Sequence, residues 1–201
     1  PDRRDLNRFF PGSKTGSLAS QIAYKFMTEI VEKCDYGVDI HTGSAHRFNL
    51  PQIRASINNP KIKKLAKAFG VPVVLNSPLR DGSLREAAAE KGVELLLFEG
   101  GEVLRYDEKI ICSAENGILA MLCSIGILDE KLIKHKLPKK REVFYANSSH
   151  WIRAPHSGSL HIRKKVGSQV KKDEILAVVS DPFGINKHYV KATKTGIVIG
   201  A

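Results

Sequence analysis

The chain has 201 residues and a mass of 22.2 kDa. That is room for one ordinary domain with a small companion, and an apolar fraction of 42% supplies a core and excludes a disordered chain. Lys and Arg outnumber Asp and Glu by 32 to 21, and the whole excess of +11 lies between Lys131 and Lys172, where twelve basic residues meet one acid, Glu142, so the chain is not uniformly basic in the manner of a dedicated nucleic-acid binder.

The cysteines Cys34, Cys112 and Cys123 are odd in number, far apart and never paired as CxxC, which excludes a disulfide scaffold and a thiolate zinc site. No apolar run approaches the ~20 residues needed to cross a bilayer. The expected setting is soluble and cytoplasmic, with no membrane partner. The text opens without Met inside a polar cluster, PDRRDLNRFFPG, and stops at Gly200-Ala201 directly after a strand. It is therefore expected to be a piece of a longer chain at both ends.

From Ser17 to Cys34, the residues Leu18, Ile22, Phe26, Ile30 and Cys34 recur at four-residue steps with Ala23, Met27 and Val31 beside them, the apolar stripe of an amphipathic helix. GVDIH is a short strand ending at His41. Asn59 and Pro60 open a second helix as N-cap and first helical residue, and Gly70 closes it. VPVVL is the next strand. Ser83 and Glu86 form the S-x-x-E box of a third helix that stops at Gly92, and VELLLF reads as a strand buried on both faces. A further apolar helix covers Glu115 to Ile127. This alternation predicts an α/β domain over residues 1–136, a mostly parallel or mixed sheet flanked by helices.

Residues 137–150, beginning LPKKRE, read as a basic connector. Beyond Trp151 the helical period disappears and short β-like runs (SLHIRKKV, EILAVVS, HYVKAT, GIVIG) alternate with turn residues, predicting a small all-β, barrel-like domain over 151–201. APHSGSL from Ala154 recurs weakly as ATKTGIV from Ala192, pairing Gly158 with Gly196.

Ligands of open α/β sheets gather at the carboxyl ends of strands. His41 after GVDI and Glu99 after VELLLF both fall at such an edge. A neutral His41 imidazole there can ligate a metal, with Asp39 fixing its tautomer; the alternative is a loop histidine bonded to a backbone carbonyl. Glu99 can act as general base on a water, or be a solvated carboxylate beginning the turn EGGE. Asn7 and Arg8, beside Arg3 and Arg4, carry the chemistry of carboxylate capture, with a structural salt bridge as the alternative. Arg85 on the third helix can join that site or be exposed. His46 is a loop neighbour of His41, His135 a solvated base in a basic run, and His150, His156, His161 and His188 lack ligand spacing.

DLNRFFPG, then DIHTG, then FEGGE, in that order, resemble the succinylglutamate desuccinylase and aspartoacylase family, whose fold is similar to the zinc carboxypeptidases. The resemblance covers Pro1 to about Ile127. The β domain resembles the family's C-terminal barrel, itself like a lipoyl or biotinyl domain, although no MKM-like lysine hairpin is present and Asp173 stands where such barrels have glycine. The resemblance implies that His41 is a zinc ligand and Glu99 the general base and acid. It implies further that Asn7, Arg8 and Arg85 bind the carboxylate of a small anionic N-acyl amino acid, whose amide is hydrolysed with zinc as cofactor. The family's other two ligands, a His and a Glu in a GxHGNE-like turn, and its oxyanion arginine precede the DLNR motif and have no counterpart here. One imidazole cannot by itself hold zinc in a tetrahedral site. The sequence is then a piece of a competent enzyme or a degenerate protein without metal. A reading of another class is a non-catalytic basic module that contacts nucleic acid or another polyanion through Arg163, Lys164, Lys165, Lys171 and Lys172, although stacking aromatics are sparse there. Association of copies of the chain stays open.

Overall fold

A computed structural model describes residues 2–133, 137 and 142–201. Lys139, Lys140 and Arg141 of the expected connector, and Lys134, His135 and Lys136 just before it, lie outside the described residues. The chain forms two compact units: residues 1–41, 51–99 and 106–148, and residues 42–50, 100–105 and 149–201.

The main sheet has the order β1 (Tyr36–Gly43), β4 (Glu94–Glu102), β2 (Asn49–Ala55), β3 (Val73–Asn76), β5 (Phe144–Ala146). β2 pairs parallel with β3, Ile53 opposite Val74, and β3 parallel with β5, Leu75 opposite Ala146. The strand β5 falls in the stretch read from sequence as connector. β2 was not expected either: Pro51 interrupts its text, as a proline normally marks an edge or a break, yet FNLPQIRA alternates in the way a strand requires. His41 and Glu99 do not follow their strands. β1 continues to Gly43 and β4 to Glu102, so both side chains sit within strands and EGGE is strand rather than turn.

Alternation along the strands sorts the two faces of the sheet. Ile53, Val74, Leu96 and Phe98 face the helices α2 (Pro60–Phe69) and α4 (Glu108–Ser124), and form a core with Leu65, Phe69 and Met121. Leu95 faces the other way, into a second core with Met27 and Val31 and with Leu84, Ala87 and Ala88 of α3 (Leu84–Glu90). Asn59 caps α2 through its side chain, and Gly70 closes it in the left-handed region at φ 78°. Ser83 Oγ accepts from Glu86 N at 3.3 Å, while the Glu86 carboxylate accepts from Gly82 N at 2.9 Å. The helix expected from Glu115 begins seven residues earlier, at Glu108, where Asp107 caps it.

The helix α1 (Leu18–Glu29) is shorter than Ser17 to Cys34, and its apolar stripe is turned around. Leu18, Ile22, Phe26 and Ile30 are all exposed by more than a third, while the neighbouring row Ala19, Ala23, Met27 and Val31 is buried. Both rows are apolar, and the two alanines of the buried one let the start of the helix lie close to its neighbours.

In the second unit, β6 (Ser159–Ile162), β8 (Ile175–Ser180) and β9 (His188–Lys191) form an antiparallel sheet in that order, and β7 (Gln169–Val170) pairs antiparallel with β10 (Gly196–Ile197). Val179 and Val190 make its small core with Ala177. The internal repeat is not mirrored in environment: a Cβ on Gly158 would meet Ser180 O at 2.3 Å, whereas Gly196 faces open space. Asp173 adopts φ 68°, a backbone glycine takes without strain.

Candidate active site

The residues Asp39 and His41 of β1, Arg54 of β2 and Glu99 of β4 lie in the first unit. Asp39 and His41, two apart on one strand, share a face. Asp39 Oδ2 stands 3.0 Å from His41 Nε2. A neutral ring donates through Nε2–H to that carboxylate and keeps the Nδ1 lone pair for a ligand. The same hydrogen bond raises the His41 pKa above its ordinary value, against burial, with smaller help from the charges of Asp39, Glu99 and Asp5. The side chains of His41 and Asp39 are 35% and 17% exposed, so the pair is only partly screened from water.

Arg54 Nε lies 3.2 Å from Glu99 Oε1, an ion pair whose angle is not that of a hydrogen bond. Arg85, at the start of α3, is buried. Its Nη1 donates to Ser77 O at 3.1 Å, and its Nη2 to Pro78 O at 2.6 Å and Ser77 Oγ at 3.4 Å. Burial, then the like charge of Arg54, lower its pKa, and Asp39 opposes them.

Asn7 belongs to a one-turn helix, Leu6–Arg8, capped by Asp5. Its Oδ1 accepts from Leu84 N at 2.8 Å, satisfying a free donor at the start of α3. With that oxygen engaged, the Nδ2 donors remain for another acceptor. Arg8 Nη1 donates to Asn7 O and Nη2 lies 3.5 Å from Asp5 Oδ2. Gly82 makes this docking possible: a Cβ there would meet Arg8 O at 2.6 Å, and Gly82 O accepts from Phe10 N at 3.0 Å.

The charge of Glu99 thus acts on His41, Arg85 feels Arg54 and Asp39, the partners of Glu99 and His41, and Asn7 is fastened to the helix that carries Arg85. Arg54 is the residue that sequence reasoning missed. So is Gln52, wholly buried on the same face of β2, with both amide atoms lacking a partner among the described residues. The period-2 placement of Gln52 and Arg54 was the available signal, hidden by Pro51.

His46 lies in the second unit, its backbone N donating to Glu102 Oε1 at 2.8 Å. His156 and His188, scattered in sequence, stack with ring centroids 3.8 Å apart, and His150 Nε2 is 2.7 Å from Thr193 Oγ1. Lys164 is paired with Glu174. Among the described residues, no three His, Cys, Asp or Glu side chains come together to hold a metal ion. His41 is a fitting single ligand, but these residues alone do not complete a zinc centre. No helix among them is long and apolar enough to cross a membrane.

The model of the succinylglutamate desuccinylase/aspartoacylase catalytic domain matches residues 1–125. The chain belongs to this family. The N-alpha-acetyl-L-2,4-diaminobutyric acid deacetylase of Halomonas elongata is 25% identical over 190 residues, covering 90% of this chain and 54% of that protein. Among solved structures, the ectoine utilization protein EutE (DoeB) from Ruegeria pomeroyi shares the fold with a TM-score of 0.82 at 24% identity, over 98% of this chain and 64% of that one. A succinylglutamate desuccinylase/aspartoacylase from Rhodobacter sphaeroides matches with a TM-score of 0.81 at 20% identity, over 99% of this chain and 63% of that one. The chain therefore spans between about half and two thirds of the length of these relatives.

Proposed function

We propose that this family member serves a hydrolase that removes the acyl group from an N-acyl amino acid by cleaving a linear amide bond. The observation that carries the reading is the neighbourhood of Glu99 and His41 on adjacent strands, with Arg54 paired to Glu99, Arg85 within the electrostatic reach of Arg54 and Asp39, and Asn7 held at the start of α3. Membership in the family supports it, as does a deacetylase among the relatives.

In this reading Glu99 takes a proton from the attacking water and passes it to the nitrogen of the leaving amino acid as the C–N bond breaks. Asn7 Nδ2 donates to the substrate's carboxylate, and Arg8 and Arg85 supply positive charge that favours an anionic substrate. His41, oriented by Asp39, is offered as a ligand to zinc. One imidazole does not by itself make a zinc centre, so further ligands would have to come from outside these residues. The second unit is read as the family's barrel-like β domain, resembling lipoyl and biotinyl domains. The cytoplasm is the proposed setting, in keeping with three free cysteines.

The test is release of free amine from a panel of N-acetyl and N-succinyl amino acids by protein made from its complete reading frame, with and without a chelator. Turnover abolished by the chelator is expected. No turnover on any member overturns the reading.

A further inference from the structure

We propose that Arg54 is a positioning residue for Glu99, holding its carboxylate in one orientation from the neighbouring strand. The inference rests on the assignment of Glu99 as general base. The Arg54 Nε is buried and 3.2 Å from Glu99 Oε1, and the two side chains are only 31% and 17% exposed. At that separation and burial the attraction is screened less than that of a surface pair.

A second charge acts on Arg54. Arg85 is fastened by three hydrogen bonds to Ser77 and Pro78 and cannot swing away, and it acts on Arg54 as a like charge. Like-charge repulsion from Arg85 and attraction to the Glu99 carboxylate both favour keeping Arg54 on Glu99. Gln52 points to the same conclusion. Its buried amide has neither atom partnered among the described residues, a desolvation cost that an aliphatic side chain would avoid. This face of β2 is therefore polar at the expense of packing. A carboxylate that must first accept and then return a proton needs a fixed direction, because small misplacements of a reacting group lower the rate steeply.

The experiment compares Arg54→Met and Arg54→Lys in protein made from the complete reading frame, on whichever N-acyl amino acid the wild type hydrolyses best. Arg54→Met should lower kcat by ~10-fold or more with KM within about twofold, Arg54→Lys should recover most of the loss, and Arg54→Met should add less than about twofold once Glu99 is Gln. A raised KM with kcat intact makes Arg54 a substrate contact and overturns the proposal, as does a full additional loss in the Glu99→Gln background. If the wild type hydrolyses nothing, the functional reading fails by itself and positioning is judged by crystal structures of wild type and Arg54→Met. Displacement of the Glu99 carboxylate in the variant upholds it. An unmoved carboxylate overturns it.

Discussion

Asp39 and His41 stand two residues apart on β1, and the carboxylate oxygen of one lies 3.0 Å from Nε2 of the other. The pair decides where His41 titrates. A pKa raised in the folded state means that the interaction stabilises the fold fully below the ordinary histidine value of about 6.5, and that this contribution is lost as pH rises through the folded value. Asp39→Asn removes the main cause of the shift. NMR titration of the His41 ring should show its midpoint moving down, and the metal-free variant should lose stability relative to wild type more at pH 5 than at pH 8. A midpoint that stays in place would show that Asp39 is not the cause.

Glu99 and His41 should fail differently when replaced. Glu99→Gln keeps the shape of the side chain and removes the proton acceptor, so turnover should fall by ~10²-fold or more while metal content, measured by elemental analysis, is unchanged. His41→Ala should lower the metal content itself. Loss of metal in Glu99→Gln would move that residue into the ligand set, and near-native turnover would make it a structural carboxylate.

Much of this arrangement could be read from the text because its signals are local. Asn59-Pro60 and Gly70 mark both ends of α2, and Ser83 with Glu86 marks the start of α3, since capping is satisfied within a few residues. What escaped depends on partners distant in sequence. The exposed row of α1 and its buried row are equally apolar, so only packing chooses between them. β2 carries a proline and two polar residues on one face, and becomes a strand because β3 and β4 flank it. The site follows the same division. His41 and Glu99 were visible at the ends of apolar runs, whereas the relation of Arg54 to Glu99 exists only across β2 and β4.

Asn7 offers a way to separate support of the fold from contact with substrate. Its Oδ1 accepts from Leu84 N at 2.8 Å, an interaction that Asp at the same position can keep. Asn7→Ala should therefore cost about 1 kcal/mol of stability in denaturant melts, whereas Asn7→Asp should melt near wild type. Both lose the Nδ2 donor, and Asn7→Asp adds a negative charge against an anionic substrate, so its KM should rise the more. Unchanged KM in both variants would remove Asn7 from the substrate site.

The packing of α4 on α2 supplies a test that involves no chemistry at the site. Gly117 faces Phe69, and a Cβ built on it would lie 2.0 Å from Cε1 and 2.2 Å from Cδ1 of the ring. Elsewhere in a helix interior, Gly to Ala gains up to about 1 kcal/mol from propensity. Here the ring cannot step aside, since Phe69 is 3% exposed and packed with its centroid 5.7 Å from that of Phe98. Overpacking of a filled core costs about 1–3 kcal/mol, so strain should cancel or exceed the gain. Gly117→Ala should melt below wild type by a few degrees, on the scale of about 2–4 °C per kcal/mol for a chain of this size. Gly117→Ala combined with Phe69→Leu, which opens room for the methyl, should be less destabilised than the sum of the two single changes. A Gly117→Ala variant that melts above wild type would mean that α4 shifts freely on α2.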